Sequence, residues 1–271
     1  MIDARALVGT ADILLLTLDT LRLDVAERAM AARRTPNLAR LLPGGVWQRR
    51  HSPASFTYAA HHAFFAGFLP TPEGPGPHPR PFAMAFPGSE SIADGTAVFD
   101  SPDLVGGLAA AGYHTLCIGG VGFFNKQSPL GSVLPGLFAE SHWNEVMGVT
   151  SPCSTERQVA LACRRIADLP PERRLFLFLN ISALHQPNCL FTPGATSDDA
   201  ATQEAALAYV DSHLPPLFRA LTARAPLLAV LTSDHGTAYG EDGYHGHRLA
   251  HPAVWRVPYG EFVVEAGRCP I

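Results

Sequence analysis

Leu-Leu-Ala-Val-Leu-Thr-Ser-Asp-His-Gly, residues 227–236, is the stretch that decides how this chain folds and where its site lies. Its apolar run has the length and continuity of a strand buried on both faces of a parallel sheet. The run ends in Asp234 and His235, at the carboxyl end of the strand, where open α/β sheets bind their ligands. A carboxylate and an imidazole that are adjacent in sequence could bind one cation together.

A second apolar run, Ile13-Leu-Leu-Leu-Thr-Leu, also ends in an acid, Asp19. Two strand-end acids that lie far apart in sequence can meet only if their strands lie together in one sheet. The sequence therefore predicts a joint site of Asp19, Asp234 and His235 at the carboxyl edge of that sheet.

Apolar runs alternate with helical patterns along the whole chain. This alternation favours an α/β fold, a three-layer α/β/α sandwich with a mostly parallel central sheet. Stretches rich in Pro and Gly or without periodicity predict a surface loop at 69–88 and a long loop near the site at 122–152. Strands are predicted at 13–18, 115–119, 175–181 and 227–233, and helices at 36–42, 57–66, 102–111, 155–168 and 200–222.

Composition limits the classes of protein that the chain can belong to. With 271 residues, 47% of them hydrophobic, residues 1–271 are expected to form a single catalytic domain. A net charge of −4 without a basic run predicts no nucleic-acid partner. Five cysteines without a C-x-x-C pair predict neither a disulfide framework nor a structural zinc site. The chain shows no signal peptide and no apolar run long enough to span a membrane, so a cytoplasmic protein without a membrane partner is expected.

The third part of the predicted site is the segment from Ser52 to Gly67, in which Thr57 lies where a helix should begin. A hydroxyl there faces free backbone N–H groups and the positive end of the helix dipole, a setting that stabilises an alkoxide or a phosphoryl group transferred to it. A threonine that only caps the helix is equally compatible with this segment.

Five segments, in order, resemble the alkaline phosphatase superfamily in its sulfatase-like branch. A single match would carry little weight, but five in the right order are specific. They are Leu18-Asp19-Thr-Leu-Arg22-Leu-Asp24, Thr35-Pro-Asn-Leu-Ala-Arg-Leu41, residues 52–70, the Ala-Gly-Tyr-His-Thr unit within 104–119, and Ser233-Asp-His-Gly with its trailing loop up to Pro258.

The resemblance implies a site for one divalent cation, Zn²⁺ or Mn²⁺, with Asp19, Thr57, Asp234 and His235 as ligands. It places Thr57 at the nucleophile position. It also places His185 and His247 where relatives carry residues that serve the substrate oxyanion or the leaving group. All of these roles are expectations carried over from the family.

Other histidines cluster close to these motifs. His61 lies on the predicted nucleophile helix, and His245 and His251 lie in the Gly-rich loop after His235, so all three are predicted to contact substrate. The chain leaves open whether a second cation binds. That cation would need another acid and two histidines, and Asn180 offers only an amide where the acid is expected.

The departures from the sulfatase pattern point towards phosphorus chemistry. Sulfatases carry a cysteine that is oxidised to formylglycine at the position of Thr57, an arginine at the position of His61 and a second acid at that of Thr20. Gly120 and Gly122 replace the lysine and histidine that hold sulfate. Sulfate-ester hydrolysis is therefore disfavoured, and threonine nucleophiles are typical of superfamily members that act on phosphorus.

The sequence thus predicts a metal-dependent hydrolase of small-molecule phosphate or phosphonate esters that forms a covalent phosphothreonine. Two alternatives stay open: a phosphoryl-group transferase in a biosynthetic pathway, and a sulfuric-ester hydrolase or inactive sulfatase-like scaffold. Relatives usually continue into a smaller C-terminal subdomain, and this chain is expected to lack most of it. A partner subunit, such as a second copy in a homo-oligomer, could complete the substrate wall.

Overall fold

A seven-stranded, mostly parallel sheet forms the centre of this computed structural model, which describes residues 2–67 and 103–271 and the backbone of 82–83 and 97–98. In sheet order the strands are β2 (Gln48–His51), β11 (Arg256–Val264), β8 (Leu227–Thr232), β1 (Asp12–Leu18), β7 (Leu175–Ile181), β5 (His114–Ile118) and β6 (Glu140–His142). Two short ladders accompany it, one of β3 (Phe82–Ala83) with β4 (Ala97–Val98) and one of β9 (Ala238–Tyr239) with β10 (His245–Gly246).

Helices cover both faces of the sheet. On one face, leucines of the strands pack against α1, α2, α6, α7 and α8; on the other, phenylalanines of β7 pack with α3 and α4. The predicted α/β fold with helices around a mostly parallel sheet is confirmed. The helices are α1 (Leu23–Ala31), α2 (Pro36–Leu41), α3 (Thr57–Ala66), α4 (Leu104–Ala110), α5 (Pro129–Val133), α6 (Ser154–Asp168), α7 (Ala200–His213), α8 (Pro215–Arg224) and α9 (Pro252–Trp255).

Strand alternation decides which polar side chains lie beneath α3. Leu16 and Leu18 of β1 belong to the leucine-rich cluster, so Thr17 between them points to the opposite face, towards α3. Asn180 is the register partner of Thr17 in β7 and follows Phe178 on that same face. Two neutral polar side chains therefore lie side by side under the helix that carries Thr57.

The four predicted strands match β1, β5, β7 and β8 within one residue, but the antiparallel edge was missed. β11 runs antiparallel to both β8 and β2. Its residues alternate between buried and more exposed positions, and Pro258 lies within it, so it lacks the continuous apolar run that marked the central strands.

Two other segments differ from the prediction. The helix expected at 200–222 is broken into α7 and α8 at Pro215, because proline has no N–H for the helix ladder and its ring clashes with the preceding turn. The loop expected at 122–152 contains α5 and β6. Apart from the backbone of Phe82–Ala83, which forms β3, the loop expected at 69–88 lies outside the described residues.

Candidate metal and phosphoryl-transfer site

The carboxyl ends of β1 and β8 bring the two strand-end acids together. The strands are neighbours with Thr17 opposite Thr232, so Asp19 and Asp234 follow at the same level of the sheet. One ligand atom each from Asp19, Asp234 and His235 lie within 4.8 Å of one another, and all three side chains are buried. The sheet therefore brings Asp19, Asp234 and His235 together at its carboxyl edge, as the two apolar runs predict.

Asp19 is held as a carboxylate by its neighbours. It accepts hydrogen bonds from Asn180 Nδ2 at 3.0 Å and from Thr20 Oγ1 at 2.8 Å. Burial alone would raise the pKa of Asp19, but the imidazoles of His185 and His235 and the Asn180 hydrogen bond outweigh it and keep that pKa below its ordinary value.

Asp234 is the incompletely satisfied acid of the pair. Its Oδ1 accepts the N–H groups of Thr20, at 3.1 Å, and His235, at 3.0 Å. Its Oδ2 is buried and has no hydrogen-bond partner among the described residues. Burial and the charge of Asp19 raise the pKa of Asp234 well above its ordinary value. An unpaired buried oxygen beside a second carboxylate fits a cation, because a positive charge satisfies both oxygens at once.

His235 directs its Nε2 into the same space. Its Nδ1 donates to the carbonyl of Gly236 at 2.8 Å, which leaves the Nε2 lone pair 3.5 Å from Asp234 Oδ2. Burial lowers the pKa of His235, so the ring is neutral and able to act as a ligand. Glycine is required next because a Cβ at Gly236 would lie 2.0 Å from the carbonyl oxygen of Ala253.

Thr57 completes a set of four donor groups. It is the first residue of α3, after the N-cap residue Phe56, and its side chain is almost fully buried. Its Oγ1 lies 3.2 Å from His235 Nε2. The hydroxyl is thus directed at the acid and imidazole cluster, which the alternative of a simple helix cap does not explain.

A chain of buried hydrogen bonds joins Thr57 to Asp19. His61 Nδ1 donates to the carbonyl of Thr57 at 2.8 Å, and the Thr17 hydroxyl lies 3.2 Å from His61 Nε2. Asn180 Nδ2 then donates to Thr17 Oγ1 at 3.1 Å as well as to Asp19. Both His61 nitrogens are engaged and burial lowers the pKa of His61 to about 4, so this neutral ring holds the backbone of Thr57 in place. The predicted contact of His61 with substrate stays a prediction, which this buried and fully engaged ring does not support.

Thr17→Val tests this chain without touching a candidate ligand. Valine matches threonine in shape but can neither accept from Asn180 nor donate to His61, so we expect kcat to fall about tenfold as Thr57 loses its alignment. KM and bound metal should stay unchanged, and the matched Thr17→Ser variant should retain the wild-type kcat. Equal kcat values for the valine and serine variants, measured with metal content, would contradict the positioning role.

His185 and His247 lie on the same side of the cluster. The ring of His247 is centred 4.6 Å from that of His235 and 6.0 Å from that of His185. Burial and the neighbouring imidazoles lower the pKa of His247 to about 4, and its buried Nδ1 has no partner among the described residues. Both predicted leaving-group residues therefore stand beside the candidate ligands.

The other two predicted substrate contacts lie elsewhere in the trailing loop. His251 accepts the N–H of Ala253 at the start of α9, and its Nε2 lies 3.2 Å from Asp242. These hydrogen bonds give His251 a structural role, and its predicted contact with substrate stays a prediction. His245 is exposed and pairs with Tyr239 in the β9–β10 ladder, so its contact with substrate stays a prediction.

Asn180 is not available to replace the acidic ligand that a second metal ion would need. Its amide oxygen accepts the N–H groups of Gly120, at 3.2 Å, and Val121, at 3.1 Å, while its NH₂ serves Thr17 and Asp19. All of its polar atoms are thus engaged. Sequence reasoning missed this positioning role, for which the only signal was a lone threonine inside the apolar run of β1.

Residues 11–259 match the family model described as Sulfatase. This range spans most of the chain, so the chain belongs to the Sulfatase family. No curated protein matches the sequence at a significant level.

Solved structures share the fold at low identity. The soluble domain of lipooligosaccharide phosphoethanolamine transferase A from Neisseria meningitidis superposes with a TM-score of 0.64 and 16% identity over 95% of this chain and 77% of that domain. The chain spans 48% of the integral membrane form of that enzyme, at 15% identity and a TM-score of 0.64. The C-terminal periplasmic domain of EptC from Escherichia coli, in complex with Zn, gives 0.61 at 13% identity over 95% of this chain and 73% of that one.

These neighbours do not support the predicted cytoplasmic location, since the EptC structure is a periplasmic domain. In residues 2–67 and 103–271, no helix is long and apolar enough to cross a membrane.

Proposed function

We propose that residues 1–271 act as one catalytic unit that cleaves phosphate or phosphonate esters with Thr57 as the nucleophile. The observation that carries this proposal is the position of the Thr57 hydroxyl, 3.2 Å from His235 Nε2 and directed at the cluster of Asp19, Asp234 and His235. Threonine cannot be oxidised to formylglycine, which argues against sulfate-ester hydrolysis. The four candidate ligand groups face one common space, which argues against an inactive scaffold.

Asp19, Asp234, His235 and Thr57 would hold one divalent cation. Two carboxylates, one imidazole and one hydroxyl form a mixed oxygen and nitrogen set that suits Zn²⁺ or Mn²⁺. When bound, such a cation lowers the pKa of the hydroxyl and neutralises a non-bridging oxygen of the substrate. The engaged amide of Asn180 supports one such site over two.

The chain's own residues would carry the proton and the phosphoryl group. Thr57 Oγ1 forms a bond to phosphorus and loses its proton to solvent, while the bond to the leaving oxygen breaks. His185, on the same side of the cluster, supplies a proton to that oxygen, a role that suits His247 less because a pKa of about 4 leaves His247 unprotonated near neutral pH. Water then attacks the phosphothreonine and restores the Thr57 hydroxyl.

An acceptor alcohol in place of water would make the protein a transferase. The names of two structural neighbours favour this second candidate: lipooligosaccharide phosphoethanolamine transferase A, and the lipoteichoic acid synthase LtaP from Listeria monocytogenes, which superposes with a TM-score of 0.60 and 12% identity over 94% of this chain and 66% of that one. Product analysis with glycerol present separates the two: a hydrolase releases the free acid, and a transferase forms the glycerol ester.

A panel of four 4-nitrophenyl esters tests the proposal directly. After removal of metal with EDTA and reloading with Zn²⁺ or Mn²⁺, we expect metal-dependent release of nitrophenol from bis(4-nitrophenyl) phosphate or 4-nitrophenyl phenylphosphonate. 4-Nitrophenyl phosphate and 4-nitrophenyl sulfate complete the panel. A dominant rate on the sulfate ester would overturn the assignment of Thr57, and no rate on any ester with metal bound would favour a scaffold.

A further inference from the structure

An arginine beside the nucleophile has no acidic partner. Arg248 follows His247 in the chain, and its side chain is exposed. Its guanidinium lies 5.9 Å from the ring centre of Phe56, the residue before Thr57. Within the described part of the chain, no carboxylate pairs with this guanidinium, which leaves a free positive charge on the surface beside Phe56 and Arg248. We call this surface the entrance.

The backbone of Arg248 adopts a conformation that is unfavourable for residues other than glycine. Its φ is 68°, in the left-handed region that favours glycine, and its N–H donates to the carbonyl of Ser55 at 2.9 Å. Ser55 and Phe56 lead into α3, so Arg248 is tied to the segment that places the nucleophile.

The acids near this entrance are already engaged. Asp19 and Asp234 are buried among the candidate ligands. Glu241 forms an ion pair with Arg22, and Asp242 lies 3.2 Å from His251 Nε2. In the described residues, the entrance therefore offers a positive charge to substrate and no free carboxylate.

We infer that Arg248 selects esters whose phosphorus carries, besides the leaving group, a substituent with its own negative charge, a carboxylate or a second phosphate. Arg248 is exposed whereas Thr57 and the candidate ligands are buried, so the group that it meets is a substituent and not the reacting phosphoryl oxygens. A guanidinium binds carboxylate or phosphate through paired N–H groups and repels an ammonium. This inference rests on the proposed function and deepens it, because it disfavours a phosphoethanolamine group.

Four phosphodiesters with one leaving group test the charge preference. Each carries 4-nitrophenol, and the second alcohol is ethanol, ethanolamine, glycolate or ethylene glycol phosphate, which gives a neutral, a positive and two negative substituents. We expect the metal-loaded wild-type protein to cleave one of the anionic diesters about fivefold faster than the neutral one, in kcat/KM, and the ethanolamine diester slowest. The faster of the two anionic diesters identifies the preferred anion. The preference should shrink at high salt, since an exposed charge is screened.

Variants at position 248 separate charge from backbone strain. Arg248→Gly suits the left-handed φ and removes the charge, so it should fold and lose the preference. Arg248→Gln should lose it too, whereas Arg248→Lys should keep part of it. The matched control is Arg33→Gln: Arg33 is also an exposed arginine with a left-handed φ, of 58°, at the end of α1 away from the site, and its loss should leave the preference intact.

The outcomes distinguish this inference from the proposed function. If the wild-type protein cleaves all four diesters and prefers ethanolamine or shows no preference, or if Arg248→Gln slows all four equally, the inference fails and the proposed function stands. If none of the four is cleaved with metal bound, the proposed function fails as well.

Discussion

Thr57→Val is expected to abolish ester cleavage, with kcat/KM reduced about 10⁴-fold or more. The substitution keeps the shape of a nearly fully buried side chain and removes only the hydroxyl that faces His235. Among the described residues, no other hydroxyl hydrogen bonds to His235 Nε2, so the loss should appear in the chemical step. The rates are to be measured on bis(4-nitrophenyl) phosphate at saturating Zn²⁺.

The matched control for this experiment is Thr57→Ser. Serine restores the oxygen at the first position of α3 and should recover a large part of the rate. Acid quenching of the wild-type protein during turnover, followed by mass spectrometry, should find the phosphoryl group on the peptide that contains Thr57. A Thr57→Val variant that turns over at the wild-type rate would remove threonine from the mechanism.

Asp234→Asn is expected to abolish metal binding and to stabilise the metal-free protein at neutral pH. The orphan oxygen Oδ2 becomes an NH₂ group that can donate towards His235 Nε2, while Oδ1 still accepts from Thr20. Satisfying a buried polar atom is worth about 1–3 kcal/mol in the free energy of unfolding. The measurements are metal content and chemical denaturation in EDTA.

The pH dependence of this effect follows from the raised pKa of Asp234. Between the unfolded pKa and that raised value, the folded metal-free protein binds more protons than the unfolded chain, so its stability falls as pH rises. The advantage of Asp234→Asn should therefore be present at neutral pH and vanish below the unfolded pKa of about 4. Metal affinity of the wild-type protein should weaken as pH falls, because protons compete for Asp234.

Asp19→Asn is the control with the opposite sign. Asp19 has a lowered pKa and accepts from Asn180 and Thr20, so an amide there would set one NH₂ group against another. This variant should lose metal without gaining stability. If both variants stabilise the metal-free protein equally, Asp19 and Asp234 do not differ in the way that their hydrogen bonds indicate.

The apolar runs of β1 and β8 were sufficient to predict the ends of two neighbouring strands. Each run is a local pattern that predicts a buried strand, and parallel strands present their carboxyl ends at one edge of the sheet. Asp19, Asp234 and His235 could therefore be grouped from the sequence alone. The edge strand β11 could not, because its alternating burial and internal proline give no continuous run.

The tertiary structure alone decided how the remaining polar residues are used. The register between β1 and β7 sets Thr17 opposite Asn180, and the packing of α3 on that face turns His61 inward, towards Thr17. Likewise, the trailing loop brings His247 to His235 and leaves His251 to cap α9. Local patterns determine which residues end a strand, whereas contacts between distant segments depend on register and packing, which no single segment encodes.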